Sequence, residues 1–404
     1  MKKWAFILFT VFIAAALILS GCSTSSNTTT TQAPKTLKIG AMYSLTGDMS
    51  TVEILLRDGA LLCQDWINEN GGITINGEKY LIELVVEDTK STVDGTVTAA
   101  TKLVEQDKVK FIIGLVRPDM SIACSSVTEA AGVLRALDWD GNPEDMSAKT
   151  PYTFRPILGG AEMIPVLYDY LVEAYPNVKT VAILNSDEPG GQGYSKASEA
   201  IAGAHGLQVV ASELTPTGTQ DYYSVMTKLL AAKPDALDLG SGNPMEVELR
   251  FKQARELGFT GPIFNLTPVS LYNILDTAGK DLCYDYFNPA LDMQSSTVPS
   301  MIKEVQKRWE AAYGTSFQDN FESFQGWDTL WCLVQAIKAA QSIDPSTVKT
   351  AWEKMPSIET CYGTGHMGGL KTYGINHLVV RPQCISRLNN GTIELIKWYT
   401  PDFP

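Results

Sequence analysis

Leu37-Lys38-Ile39-Gly40-Ala41-Met42, the segment Glu53 to Asn68 and then Asn70-Gly71-Gly72 decide the architecture of this 404-residue chain. The first run is short and apolar, as a strand buried on both faces must be. In the second, Leu55, Gly59, Leu62 and Trp66 fall at i, i+4, i+7 and i+11, one face of a helix. Asn70-Gly71-Gly72 ends it with residues that tolerate positive φ. The unit repeats as strand 80–87, helix 93–106, strand 110–114, helix 120–131 and strand 133–137. It then restarts as strand 178–185, helix 194–204, strand 207–214, helix 221–232, strand 236–240, helix 245–257 and strand 262–266. This alternation predicts an α/β protein of two similar lobes, each a mostly parallel sheet with helices on both faces. Helices 298–313 and 323–341 and strands 378–380, 384–388 and 393–398 lack a repeat of their own. They must complete the earlier lobes, joined by a hinge that the chain crosses more than once. The expected division is 36–155 with 287–378 for the first lobe, and 156–286 with 379–404 for the second.

Ahead of this stands a different kind of sequence. Lys2 and Lys3 lead into an apolar run from Trp4 to Leu19, which ends at Leu19-Ser20-Gly21-Cys22. A basic start, an apolar core and small residues before a cleavage point make a secretory signal over residues 1–21. The run is about 16 residues, short of the roughly 20 that a membrane span needs. Cys directly after Gly21 resembles the bacterial lipobox, which implies a lipidated Cys22 and an extracytoplasmic protein anchored to the cell membrane, in a periplasm or on the outer face of the cytoplasmic membrane. Residues 22–35, rich in Ser, Thr, Asn and Gln with four consecutive Thr from Thr28, are expected to be a flexible tether.

Composition narrows the function. Loss of Lys2 and Lys3 with the signal takes the formal charge from −13 to −15, an acidic balance that disfavours nucleic acid as a partner. Of the cysteines beyond Cys22, Cys63, Cys124 and Cys332 lie in helical patterns and are expected to pack as thiols. Cys361 and Cys384, in the Gly-rich tail, are the expected disulfide if there is one. Enzyme and cofactor signatures are poor. His205, His366 and His377 are scattered without metal-ligand spacing, and there is no G-x-S-x-G elbow or P-loop. Gly363-Thr364-Gly365-His366-Met367-Gly368 matches G-x-G-x-x-G, but is expected to follow no strand and open no helix, the context a dinucleotide loop needs. No cofactor is implied.

Several motifs resemble one family over almost the whole mature chain. They are Leu45-Thr46-Gly47, Ile67-Asn68-Glu69-Asn70-Gly71-Gly72-Ile73, Glu87-Asp88, Leu103-Val104 and Ile112-Ile113-Gly114. Phe154-Arg155, Gln253-Ala254-Arg255-Glu256-Leu257-Gly258 and Tyr373-Gly374-Ile375-Asn376-His377 continue the series. Together they resemble the branched-chain amino-acid binding family of ABC importers, with the type I periplasmic-binding-protein fold. A weaker similarity, Leu45-Thr46-Gly47-Asp48-Met49-Ser50 running into Glu53, is to the amide- and urea-binding branch. The resemblance implies a solute-binding protein that closes two lobes on a small molecule and hands it to a membrane permease. The alternative is a ligand-sensing lipoprotein presenting its closed form to a receptor. Arg155 and His377 are expected to be hinge or lobe-packing residues.

Ligands of open parallel sheets bind beyond the carboxyl ends of the strands. That rule and the resemblance select the same loops: Ser44 to Glu53, Arg117 to Ser121, Asp138 to Asn142, Asp187 to Gln192, Gly240 to Asn243 and Thr267-Pro268. In the family, hydroxyl and backbone N–H groups of the first lobe hold the ligand carboxylate; here Arg117, Asp119 and Ser121 occupy one such loop. The other carries Asp138 and Asp140, which would repel an anion. The family's ammonium-binding Glu corresponds to Thr267, and its aromatic packing positions to Val52, Gly190 and Gly242. Trp139 is the candidate replacement wall. Either Asp138 or Asp140 takes over the ammonium, or the ligand is a neutral or carboxylate-bearing molecule larger than valine.

Overall fold

The computed structural model describes residues 33–139, 145–314 and 321–403. The expected signal and tether, Cys22 and Asp140 therefore lie outside the described residues. The described residues form three sheets. In the first, β1 (Lys35–Tyr43), β2 (Ile73–Ile75), β3 (Glu78–Asp88), β4 (Phe111–Gly114), β5 (Leu134–Ala136) and β6 (Thr153–Phe154) lie in the order β2-β3-β1-β4-β5-β6. All its pairings are parallel except the β2–β3 hairpin. The connecting helices are α1 (Ser50–Glu69), α2 (Val93–Glu105) and α3 (Pro118–Thr128). Thr92 caps α2 by accepting the Gly95 N–H at 3.0 Å.

The second sheet is reached through α4 (Gly160–Ala174). It contains β7 (Thr180–Ser186), β8 (Gln208–Thr215), β9 (Ala236–Asp238), β10 (Ile263–Phe264) and β11 (Tyr286–Asn288). Between them run α5 (Pro189–Ala204), α6 (Tyr223–Ala231), α7 (Pro244–Glu256) and α8 (Leu271–Ala278). The chain then returns to the first lobe as α9 (Ser300–Tyr313), α10 (Phe321–Ala340) and α11 (Pro345–Trp352). A small antiparallel sheet of β12 (Ile358–Thr360), β13 (Gly363–Gly368) and β14 (Leu378–Val380) follows, with the one-turn α12 (Leu370–Tyr373) inside it. Finally β15 (Gln383–Asn389) and β16 (Thr392–Tyr399) extend the second sheet antiparallel to β11, giving β16-β15-β11-β10-β9-β7-β8. β11 spans the expected boundary at 287 and pairs within the second sheet.

Strand alternation accounts for helices on both faces. On β1, Ile39, Ala41 and Tyr43 join the core under α1 and α10, while Met42 joins the core under α2 and α3. The second sheet is likewise sandwiched between a core on its α4 and α5 side and another on its α6 to α8 side. The predicted α1 face lies on α10. Trp66 meets Trp327 and Trp331 with ring centroids 5.5 and 5.1 Å apart. The axes approach closely because two glycines face the partner backbone. A Cβ on Gly59 would sit 2.0 Å from the Ser323 carbonyl oxygen, and one on Gly326 would sit 1.8 Å from that of Leu56.

Two expectations are overturned. Cys361 and Cys384 are buried free thiols, as are the other four described cysteines; the Cys384 thiol donates to the Pro289 and Ala290 carbonyls at 3.6 and 3.4 Å. The 363–368 motif does follow a strand: it is β13, paired along its edges with β12 and β14. Its backbone is committed to a sheet, which is the reason it forms no phosphate loop.

The crossing strands are held by buried polar contacts. Arg155, just after β6, gives its N–H to the His377 carbonyl and its guanidinium to Glu162 at 2.5 Å; the Tyr373 hydroxyl also bonds Glu162. The His377 ring bonds the Thr153 carbonyl and Glu353, both at 2.8 Å. It stacks on Phe154, with centroids 3.8 Å apart, and burial pulls its pKa down.

Candidate functional site

The carboxyl ends of both sheets open on one cleft. Its larger chamber has a cavity of about 210 Å³. Val52 and Leu56 from α1, Val116 after β4 and Trp139 after β5 line one side. Phe321 and Gln325 of α10, which packs on α1, join that side, and Pro244, Thr267 and Pro268 line the other. Local sequence fixes the second wall. Asn243 caps α7 by accepting the Glu246 N–H at 3.0 Å, which brings Pro244 to the first helical position. The Thr267 hydroxyl accepts the Gly242 N–H at 3.3 Å, tying the loops after β9 and β10 together. A second chamber of about 120 Å³ shares Pro244, Pro268, Phe321 and Glu322 and extends past Leu271, Tyr272, Leu291 and Met293.

Of the residues singled out in the sequence, Val52, Trp139 and Thr267 share this chamber. Gly242 stands behind Thr267. Gly190, exposed near the start of α5, is not part of the lining. Arg117, Asp119 and Ser121 lie off the lining too, and their partners explain why. Arg117 pairs with Asp119 (2.6 and 3.1 Å), reaches the Ser91 carbonyl at 3.3 Å and faces Asp48 at 3.8 Å. That bond holds the Asp119 carboxyl below its usual range. Ser121 is buried, and both its carbonyl and its hydroxyl accept from Arg135, at 3.1 and 3.3 Å.

Off the lining, where β1, α1, α10 and the loop after β5 meet, lies a buried polar cluster, of which the sequence reading selected Asp138 and Glu53 but not Tyr43. Asp138, Glu53 and Tyr43 are fully buried. Glu53 Oε2 accepts the Ser44 N–H at 2.5 Å, but its Oε1 has no hydrogen-bond partner among the described residues. Tyr43 and Thr329 stand beside Asp138, yet neither Asp138 oxygen nor the Tyr43 hydroxyl makes a close hydrogen bond among the described residues. Burial pushes the Asp138 carboxyl up to about 7, and the charge of Glu53 adds to the effect. The Glu53 carboxyl is raised as well, by burial. Gln325, one turn before Thr329 on α10, lines the chamber at 3% exposure, its amide nitrogen without a hydrogen-bond partner among the described residues.

A cleft walled by two α/β sheets, largely apolar, with a few convergent polar groups, defines a two-lobed small-molecule binding protein. The periplasmic binding protein family model matches residues 36–392, and the chain belongs to that family. An amino acid binding protein of Pseudomonas aeruginosa is 26% identical over 305 residues, covering 76% of this chain and 79% of the relative. The leucine-, isoleucine-, valine-, threonine- and alanine-binding protein of the same organism is 29% identical over 252 residues, covering 61% and 64%. Among solved structures, an ABC transporter substrate-binding protein from Sphaerobacter thermophilus superposes with a TM-score of 0.77 at 18% identity, over 91% of this chain and 99% of its own. The branched-chain amino acid transporter substrate binding protein LivJ of Streptococcus pneumoniae, in complex with isoleucine, gives 0.70 at 21% identity over 91% and 100%. These likenesses show the fold.

Proposed function

We propose that this protein is the extracytoplasmic, lipid-anchored solute-binding component of an ABC importer, and no enzyme. It captures a branched-chain amino acid or a related carboxylate or amide by closing its two lobes, then presents it to the permease. The observation that carries this reading is the single chamber to which Val52 and Trp139 contribute from one lobe and Thr267 and Pro244 from the other. A molecule there gains its full set of contacts only when both walls approach, so occupancy favours the closed arrangement. Family membership and the names of the relatives support the solute class. The lobes are assigned as residues 36–155 with 289–380, and 156–288 with 381–404.

The test is small-angle scattering of the purified chain, with and without each of a panel of amino acids, amides and aromatic acids. At least one compound is expected to reduce the radius of gyration. The same compound should stabilise the protein by RT ln(1 + [L]/Kd), about 2.7 kcal/mol at a hundred times Kd. A compound that binds and leaves the radius unchanged counts against the clamp.

A further inference from the structure

The two chambers adjoin, because Pro244, Pro268, Phe321 and Glu322 border both. Their charge is one-sided. Glu322 stands at the junction and Asp292 in the second chamber, yet no Lys, Arg or His lines either one among the described residues. Residues 140–144 and 315–320, outside the described residues, carry none in the sequence. Arg117 is engaged by Asp119 at 2.6 Å, off both linings. A carboxylate brought into this space loses water, meets like charge and finds no cation. The lining asks for a different group. The buried Gln325 amide nitrogen has no hydrogen-bond partner among the described residues and calls for an acceptor oxygen. On the opposite wall the Thr267 hydroxyl accepts the Gly242 N–H and keeps its own proton to donate. Past the junction the second chamber, about 120 Å³, turns apolar again at Leu271, Leu291 and Met293.

We propose that the solute is an elongated, uncharged molecule that occupies both chambers at once. Its head is a carbonyl-type acceptor held by Gln325 and Thr267 in the first chamber, against Trp139. Its apolar arm passes Pro268 and Phe321 into the second chamber, where Leu271, Leu291 and Met293 receive it. Apolar carboxamides longer than a branched-chain side chain are the simplest members of this class. The inference rests on the cleft being the solute site, and it narrows the solute to uncharged compounds. Two kinds of selection follow from the geometry. Glu322 and Asp292, with no cation opposite, turn away the free carboxylate of the same shape. The second chamber selects for length, since each methylene buried there is worth about three- to fourfold in affinity.

Titration calorimetry of the purified full chain at neutral pH tests this with butanamide, hexanamide and 4-phenylbutanamide, each beside its carboxylate. Within a pair only the charge of the head differs. The expected result is binding of at least one long amide, about tenfold or more tighter than butanamide, with its carboxylate weaker by about tenfold or more. Gln325→Leu should weaken the long amide by about tenfold. Met293→Trp places a ring in the second chamber and should lower the preference for the long amide over butanamide by about tenfold. Leu291→Trp provides the same comparison if Met293→Trp does not fold. Carboxylates that bind as tightly as their amides, an affinity untouched by Gln325→Leu, a preference for length that the Trp variant leaves intact, or no binding by any amide overturns the proposal. In any of these cases, closure of the wild type on another member of the wider panel leaves the solute-binding reading standing. No closure on any compound removes both.

Discussion

Asp138 holds its proton against water more firmly in the folded chain than in the unfolded one, and stability must register this. Its pKa rises from an ordinary 3.8 to about 7, chiefly through burial. Between those values the folded state binds the extra proton, so the contribution is full below about pH 4, declines as pH rises, and levels off above about pH 7. Asn at this position is neutral throughout. Asp138→Asn is therefore expected to match the wild type within roughly 1 kcal/mol at pH 4.5 and to exceed it by on the order of 2–4 kcal/mol at pH 8. Urea unfolding at the two pH values measures this, and a difference that does not change with pH would contradict the assignment. The Asp138-Trp139 dipeptide was legible as a loop at the carboxyl end of a strand because that place follows from the alternating pattern. Tyr43 and Gln325 were not, and Glu53 was selected only as the end of the loop that opens α1. Each reads as an ordinary helix or strand residue, and their meeting depends on α1, β1 and α10 converging from sequence positions up to several hundred residues apart.

Among the elements, the α1–α10 crossing is the most constrained. Two backbones touch through Gly59 and Gly326, so a methyl group on either must push the helices apart. Gly59→Ala and Gly326→Ala are each expected to cost about 1–3 kcal/mol or more, despite the better helix propensity of Ala. A fall in the urea midpoint at unchanged m-value would report it; an unchanged or raised midpoint would refute the close crossing. Long amphipathic helices and apolar strands of this kind were readable from period alone. α4 was not, because Gly159-Gly160 and Pro165 punctuate its sequence as a loop would. Pro165 is tolerated because it falls early in the helix, where it forfeits one bond to the first turn. β11, α11 and the β12–β13 hairpin are short pieces whose pairing is set by tertiary neighbours, and the glycines of β13 concealed a strand.

For the whole molecule, movement is expected at the three crossings between the lobes. Glu162 is fully buried there and held by Arg155 and Tyr373. Arg155→Ala leaves that carboxylate without its cation and is expected to cost about 3–5 kcal/mol, read as a fall in Tm, with Arg155→Lys losing less. A Tm unchanged in Arg155→Ala would show that the ion pair does not hold the crossing. At the other end of the chain, Cys22→Ser is expected to shed the protein from membranes or leave an uncleaved precursor. Fractionation of cells decides it, and a processed mutant that still sediments with membrane would exclude acyl anchoring at that position.

The order of the strands bears on how such a chain is made. β15 and β16, the last described strands, form one edge of the second sheet, and α10, more than 250 residues after α1, covers the apolar face of that helix. Neither lobe can be finished by a ribosome-bound or partly translocated fragment: each waits for residues emerging near the end of synthesis. A polypeptide that must thread a secretion pore in extended form benefits from that delay, because nothing stable can assemble on the wrong side. The interleaving also delays stable folding until almost the whole chain is available.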